Sequence, residues 1–207
     1  MLRHIIDELR VHIPFTVLGA VIGIAIMLII VSLNALPRVS QVSETVFYVL
    51  HPSHVVLSAL VTTAIYKKHG NGKIWAIVLV GYCGSIGIAT LSDSIIPYLG
   101  ETLLGLPNRG IHIGFIEEWQ IVNPAALFGI ALGYFRPITK FPHFGHVLIS
   151  TWASLFHNIM AMGEVVSWTT FLGIFVFLFL AVWLPCCTSD IIFPLLLTGK
   201  RLSPHHI

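Results

Sequence analysis

The chain has 207 residues, of which 56% are hydrophobic and 10% charged. A water-soluble domain carries roughly 25% charged residues, so too few charges exist here to coat a water-facing surface, and a soluble fold is excluded. The net charge of +2 with neutral histidine gives no electrostatic footprint for nucleic acid, which is not expected as a partner; the length suits one compact domain.

Six apolar segments follow one another. The first runs from Pro14 to Leu33 and is long enough for a retained helix, unlike the shorter core of a cleaved leader. The second runs from about Val46 to Tyr66, and the third from Ile74 past Leu91 toward Pro97. A long loop from Tyr98 to Gln120 comes next; its Leu103, Leu104, Ile111 and Phe115 make it too apolar for a free linker. It is expected to lie at the interface or dip back into the protein. The fourth segment, Ile121 to Phe135, is short for a span. The fifth covers about Phe144 to Met162, and the sixth starts near Trp168 and passes Pro185. Continuous apolar character, not alternation, predicts helices and not barrel strands.

Basic residues set the expected orientation. With six spans and the N-terminus inside, Arg3, Arg10, Lys67, Lys68, Lys73, Arg136, Lys140, Lys200 and Arg201 fall on the cytoplasmic side. Only Arg38 and Arg109 fall outside. That bias predicts a multi-pass integral membrane protein with both termini cytoplasmic. Glu44, Glu101, Glu117, Glu118 and Glu164 are expected in the outer segments, where acidic charge would concentrate cations. The three cysteines, Cys83, Cys186 and Cys187, make no disulfide framework and are expected as free thiols.

The most informative feature is a duplication. Residues 51–58 read HPSHVVLS and residues 143–150 read HFGHVLIS; both are H-x-x-H-V-x-x-S. Residues 92–99 read SDSIIPYL and residues 189–196 read SDIIFPLL; both are S-D-x-I-x-P-x-L. The two motifs keep their order and nearly their spacing. The first opens the second helix of a three-helix unit, and the second closes the third helix. An odd number of spans per unit forces the two copies into opposite orientations, as in inverted-repeat transporters. The predicted architecture is therefore an all-α polytopic membrane protein. It has about six transmembrane helices in two inverted three-helix repeats, residues 1–110 and 111–207, which together make one membrane domain. The helices are expected to break near Pro97 and Pro194.

The duplicated residues carry the chemistry. His51 and His54 are three apart and share a helix face, which Ser58 and Thr62 continue. The second copy of that face is His143, His146, Ser150 and Ser154, with His157 and Asn158 beyond. Such a polar stripe in an apolar helix must look into the bundle or a wet cavity. Asp93 and Asp190 are the acids embedded in apolar sequence, each beside a serine, Ser92 or Ser189. A buried carboxylate needs a proton, a cation or a basic partner, and with no Lys or Arg in the spans, histidine or a bound metal remains. The purely structural alternative is a protonated aspartate capping a broken helix. The candidate metal ligands are His51, His54, Asp93, His143, His146 and Asp190. Ser58, Thr62, Ser92, Ser150, Ser154, His157, Cys186 and Ser189 form a candidate polar path. Cys186 lies four residues before Asp190, where a thiolate would shift the site toward soft metals. Gly81, Gly84 and Gly87 on the third helix suggest close helix approach.

The leading functional expectation is a permease: a transporter or exporter of a divalent transition-metal cation. Zinc, manganese, iron, cobalt and nickel fit mixed imidazole and carboxylate donors about equally. The plan is similar to that of small six-helix cation transporters built from two inverted three-helix units, such as those handling manganese or calcium. Their Glu-x-Gly-Asp motif is absent here, and no residue is carried over. One alternative is an intramembrane metal-dependent hydrolase in which an Asp serves as general base, although a duplication sits poorly with a single asymmetric site. Another is a substrate-binding membrane subunit of a larger transport complex. No G-x-x-x-x-G-K-[ST] loop occurs, so ATP hydrolysis by this chain is not expected, and catalysis of any kind is the lesser expectation. The expected partners are the lipid bilayer, the metal ion and, as a candidate, a second copy of the chain.

Overall fold

The structure is a computed structural model that describes residues 2–69, 73–136, 140–163 and 167–187, together with Phe193 and Leu197. Only the backbone is described for residues 2–9, 11, 12, 69, 140–144 and 187. The described residues are helical, with no strand among them. Eight helices follow in order: α1 (Leu2–Ser32), α2 (Leu36–His69), α3 (Ile74–Thr90), α4 (Ile96–Leu103), α5 (Gly114–Glu117), α6 (Trp119–Phe135), α7 (Lys140–Ala161) and α8 (Trp168–Cys187). A π turn, Leu91–Ile95, joins α3 to α4.

Four stretches are long and apolar enough to cross a membrane: Ile13–Ser32, Leu36–Lys68, Ile74–Leu103 and Trp168–Cys186. The other two expected spans also form helices, α6 and α7, but each falls short in its own way. Helix α6 has 17 residues, a rise of roughly 26 Å against a hydrocarbon core of about 30 Å. Helix α7 is long enough at 22 residues, but it carries His146, Ser150, Ser154, His157 and Asn158, all buried in the bundle.

More ionisable side chains lie in the interior, and more large apolar ones on the outside, than a soluble protein shows. The interior holds His51, His54, Asp93, Glu101, His146 and His157, each no more than 1% exposed. The outside shows Leu18, Ile29, Leu79, Phe128 and Leu172. Trp75 and Phe135 stand exposed at one rim of the bundle and Trp119 and Trp168 at the other, the pattern of aromatic belts at two interfaces.

Helix α2 is the central element and packs against α7, α6 and α3, while α1 packs against α7 and α8. His146 stacks on His54, and His157 meets Phe47, so α7 runs antiparallel to α2. Two apolar cores flank the polar interior. Ala20, Met27, Leu155, Ile159, Ile174 and Leu178 fill the space between α1, α7 and α8. Val55, Ile86, Ala89, Val122 and Ala126 fill that between α2, α3 and α6.

The helix around Pro97 widens where a break is predicted. Thr90, Leu91, Ile95 and Ile96 all keep right-handed helical dihedrals, and the Ile96 amide donates to the Leu91 carbonyl, five residues back. In that register the Ser92 carbonyl would accept from residue 97, which as proline has no N–H. The Ser154 hydroxyl supplies the bond instead, at 2.9 Å. Pro194 lies outside the described residues.

Helix α4 ends in a Schellman turn. Gly105 takes φ +66°, the Leu106 amide donates to the Glu101 carbonyl and the Gly105 amide to the Thr102 carbonyl. Leu106 is buried beside it. The long loop then places Gly114 directly against His51. A Cβ on residue 114 would lie 2.7 Å from His51 Nε2, so only glycine fits there.

Candidate metal centre

Asp93 organises the interior. It sits in the π turn, fully buried. Its Oδ2 accepts from His51 Nδ1 at 3.0 Å and from His54 Nδ1 at 2.8 Å. Its Oδ1 accepts from the Ser92 hydroxyl at 2.6 Å and the Ser150 hydroxyl at 2.8 Å. A carboxylate offers about four lone-pair sites, so this one is saturated. The three-residue spacing of His51 and His54 puts both imidazoles on the face of α2 that meets the π turn, and both engage the same oxygen. Each imidazole directs Nδ1 to Asp93 and so leaves Nε2 for another partner.

His54 Nε2 points to the second half of the chain. Cys186 Sγ, buried on α8, lies 3.9 Å away. The His146 ring stacks on the His54 ring at 5.4 Å between centroids and 9° between planes. One ligand atom each from His54, His146 and Cys186 falls within 4.8 Å of the others. Donors around a tetrahedral zinc ion lie roughly 3.3–3.7 Å apart, from bond lengths of about 2.0–2.3 Å. A small contraction would therefore close the trio on an ion. The arrangement is a buried N₂S donor set with a carboxylate behind one imidazole, the relation that fixes tautomer and orientation in metal sites.

The residues singled out by sequence divide as follows. His51, His54, Asp93 and His146 are brought to one cluster, joined by Ser92, Ser150, Ser154 and Cys186. Ser58 and Thr62 are buried farther along the same helix. His143 lies on α7, with its side chain outside the described residues. Ser189 and Asp190 lie outside the described residues altogether. Of the three glycines on α3, Gly81 and Gly84 meet α2 closely at Thr63 and Thr62, while Gly87 faces open space.

Two features escaped the sequence reading. Glu101, expected in an outer loop, is fully buried on α4, where it accepts from His157 Nδ1 at 2.6 Å. The signal was its distance from Asp93. Ser150 and His157 are seven residues apart on α7, one α-helical repeat of face. Asp93 and Glu101, their partners, are eight apart, and the π turn absorbs the extra residue. The second feature is a duplicated G-x-x-x-G, Gly19 to Gly23 on α1 and Gly129 to Gly133 on α6. The α1 pair faces Thr151 and Leu155 of α7, and the α6 pair faces the Val56 and Leu60 carbonyls of α2.

No known protein family, curated protein or solved structure matches the chain.

Proposed function

We propose that this protein is a secondary transporter for a divalent transition-metal cation, and that His54, His146 and Cys186 bind the ion in transit. The carrying observation is that these three residues, from three helices and both halves of the sequence, converge in one buried site. Charge counting favours a divalent ion. Among the described residues, Cys186 as thiolate and Asp93 as carboxylate would carry two negative charges, which a 2+ ion offsets in a low-dielectric interior. The sulfur donor favours zinc and other borderline or soft ions over manganese.

The transport reading rests on six spans arranged as two inverted units, 1–110 and 111–207, with both termini cytoplasmic. Exchanging α1 with α6, α2 with α7, and α3 with α8 preserves the main helix pairings. The α2–α6 contact maps onto α7–α1, α2–α3 onto α7–α8, and α3–α6 onto α8–α1, while α2–α7 maps onto itself. The equivalent histidines His54 and His146 stack on each other, as residues beside a pseudo-two-fold axis would. The duplicated G-x-x-x-G sits on α1 and α6, which the exchange relates. In the sequence repeat, Asp190 and His143 are the counterparts of Asp93 and His51. Rocking one unit against the other would then open the central site to each side in turn. The lipid bilayer is the working environment, and a second copy of the chain is not needed to complete the site.

The hydrolase alternative is disfavoured by Asp93 itself. A carboxylate already accepting four hydrogen bonds has no free lone pair for a water proton. The test of transport is zinc uptake into vesicles reconstituted with the full chain. Wild type is expected to fill them, and His54→Gln and His146→Gln to fail while still folding. Equal uptake by wild type and both variants would refute the proposal.

A further inference from the structure

A second buried ionisable pair lies apart from the metal centre. Glu101 Oε1 and His157 Nδ1 are 2.6 Å apart, with 0% and 1% exposure. His157 is eleven residues from His146 along α7, roughly 16 Å of helix rise. Neither residue is part of the N₂S site. Glu101 Oε2 and His157 Nε2 have no hydrogen-bond partner among the described residues. A carboxylate buried with one bare oxygen is costly unless a positive charge joins it. No third donor is close enough to make this pair a metal site; among the described residues the single such trio is His54, His146 and Cys186. A proton is the cation that the pair accommodates as built.

The surroundings favour protons as well. Phe47 of α2 lies edge-on to His157 at 5.4 Å, and Phe177 of α8 packs on Gly100, beside Glu101. Of the flanking elements, α2 carries Arg38, Glu44, Tyr48, His51 and His54, with Tyr66, Lys67 and Lys68 toward its far end; the π turn carries Asp93, α4 Tyr98, the long loop Arg109 and His112, α5 Glu117 and α7 His146. Helix α8 carries no ionisable group but the Cys186 and Cys187 thiols, and the Ile13–Ser32 stretch of α1 carries none. The His112 ring is 5.4 Å from the His157 ring, centroid to centroid. Its Nδ1 is 3.4 Å from Glu117, which is 40% exposed and also accepts from the Tyr48 hydroxyl. A short file of exchangeable groups thus connects the pair to the surface. The helices that hold the pair also hold the metal centre. Helix α7 carries His146 and His157, and the α3–α4 rod carries Asp93 and Glu101.

We infer that Glu101 and His157 form a proton station coupled to the metal centre, so that the transported ion moves against a proton. This deepens the transport reading and rests on it. The proton enters from water by way of His112 and Glu117, resides on the Glu101–His157 pair, and returns to water on the opposite side as the metal ion moves the other way. Movement of either helix carries the state of one site to the other.

The test uses the full chain in phosphatidylcholine vesicles, with a zinc dye or a pH dye trapped inside. Wild type is expected to move zinc faster under an opposed pH gradient and to move protons in the opposite direction. Glu101→Gln and His157→Gln are expected to bind zinc within about twofold of wild type, as distant sites do. Both are expected to keep zinc-for-zinc exchange while losing the gradient response and the proton signal. Glu101→Asp, which restores the carboxylate, is expected to recover part of both. Gradient-driven uptake in Glu101→Gln equal to wild type would overturn the inference, as would loss of exchange together with coupling, since that marks a structural role. Wild-type zinc flux indifferent to the gradient would overturn this inference alone. No wild-type zinc flux under any gradient would overturn the transport reading with it.

Discussion

Asp93 is the residue on which the centre turns. It fixes His51 and His54 in one tautomer by accepting from both Nδ1 atoms, and two serines hold its other oxygen. Asp93→Asn keeps the shape but presents an N–H₂ group where a charged acceptor stood. Loss of such a supporting carboxylate is expected to weaken zinc binding about 10–100-fold, read by isothermal titration of the purified protein. Ser150→Ala removes one of the two hydroxyl donors to this buried carboxylate and should cost about 1.5–3 kcal/mol of stability, read by thermal unfolding in detergent. An Asp93→Asn protein that unfolds at a lower temperature yet binds zinc as wild type does would mean that Asp93 holds the helices together and does not orient a ligand. The histidines and Asp93 were legible in the sequence because polar groups in an apolar run must find partners inside. Glu101 was not: it sits beyond Pro97 among Gly100, Thr102 and Gly105, a composition that reads as loop. The chain stays helical to Leu103 before the Schellman turn ends the helix, and that carries Glu101 into the bundle.

At the scale of the element, two devices position the site. The π turn brings Asp93 and Glu101 both to α7, and Pro97 sustains it by withholding an N–H from the Ser92 carbonyl. Pro97→Ala supplies that N–H and lets the turn relax toward regular α-helix. The expected result is weaker zinc binding in a protein that still folds; unchanged affinity would show the π turn to be incidental. The second device is close helix approach. A Cβ on residue 133 would lie 2.4 Å from the Leu60 carbonyl oxygen. Gly133→Val is therefore expected to push α6 from α2 and lower the unfolding temperature sharply. Gly87→Ala meets nothing within 4 Å and should be neutral, or stabilising by up to about 1 kcal/mol from helix propensity. The glycine rows show the limit of sequence reading: spacing marks a helix face, but the neighbour that a face meets decides which glycines matter.

For the whole molecule, the membrane character was plain from composition, because a chain with so few charges has no other way to be dispersed. Where the structure diverges is in α6 and α7, shorter or more polar than a lone span would be, since neither stands alone against lipid. Helix α6 packs against α2 and α3, and α7 against α2, α1 and α8. The proposed orientation has a direct check. A cysteine in place of Arg109 is expected to react with an impermeant thiol reagent added outside intact cells, and one in place of Lys68 only after the cells are opened. The reverse pattern would invert the whole arrangement.

The centre itself can be examined most directly by zinc X-ray absorption on the purified full chain. The expected spectrum is one zinc ion per chain with two imidazole nitrogens and one sulfur, the sulfur contribution vanishing in Cys186→Ser. A protein that retains no zinc, or the same spectrum from Cys186→Ser and His146→Gln as from wild type, would contradict the assignment of His54, His146 and Cys186 as the site of the transported ion.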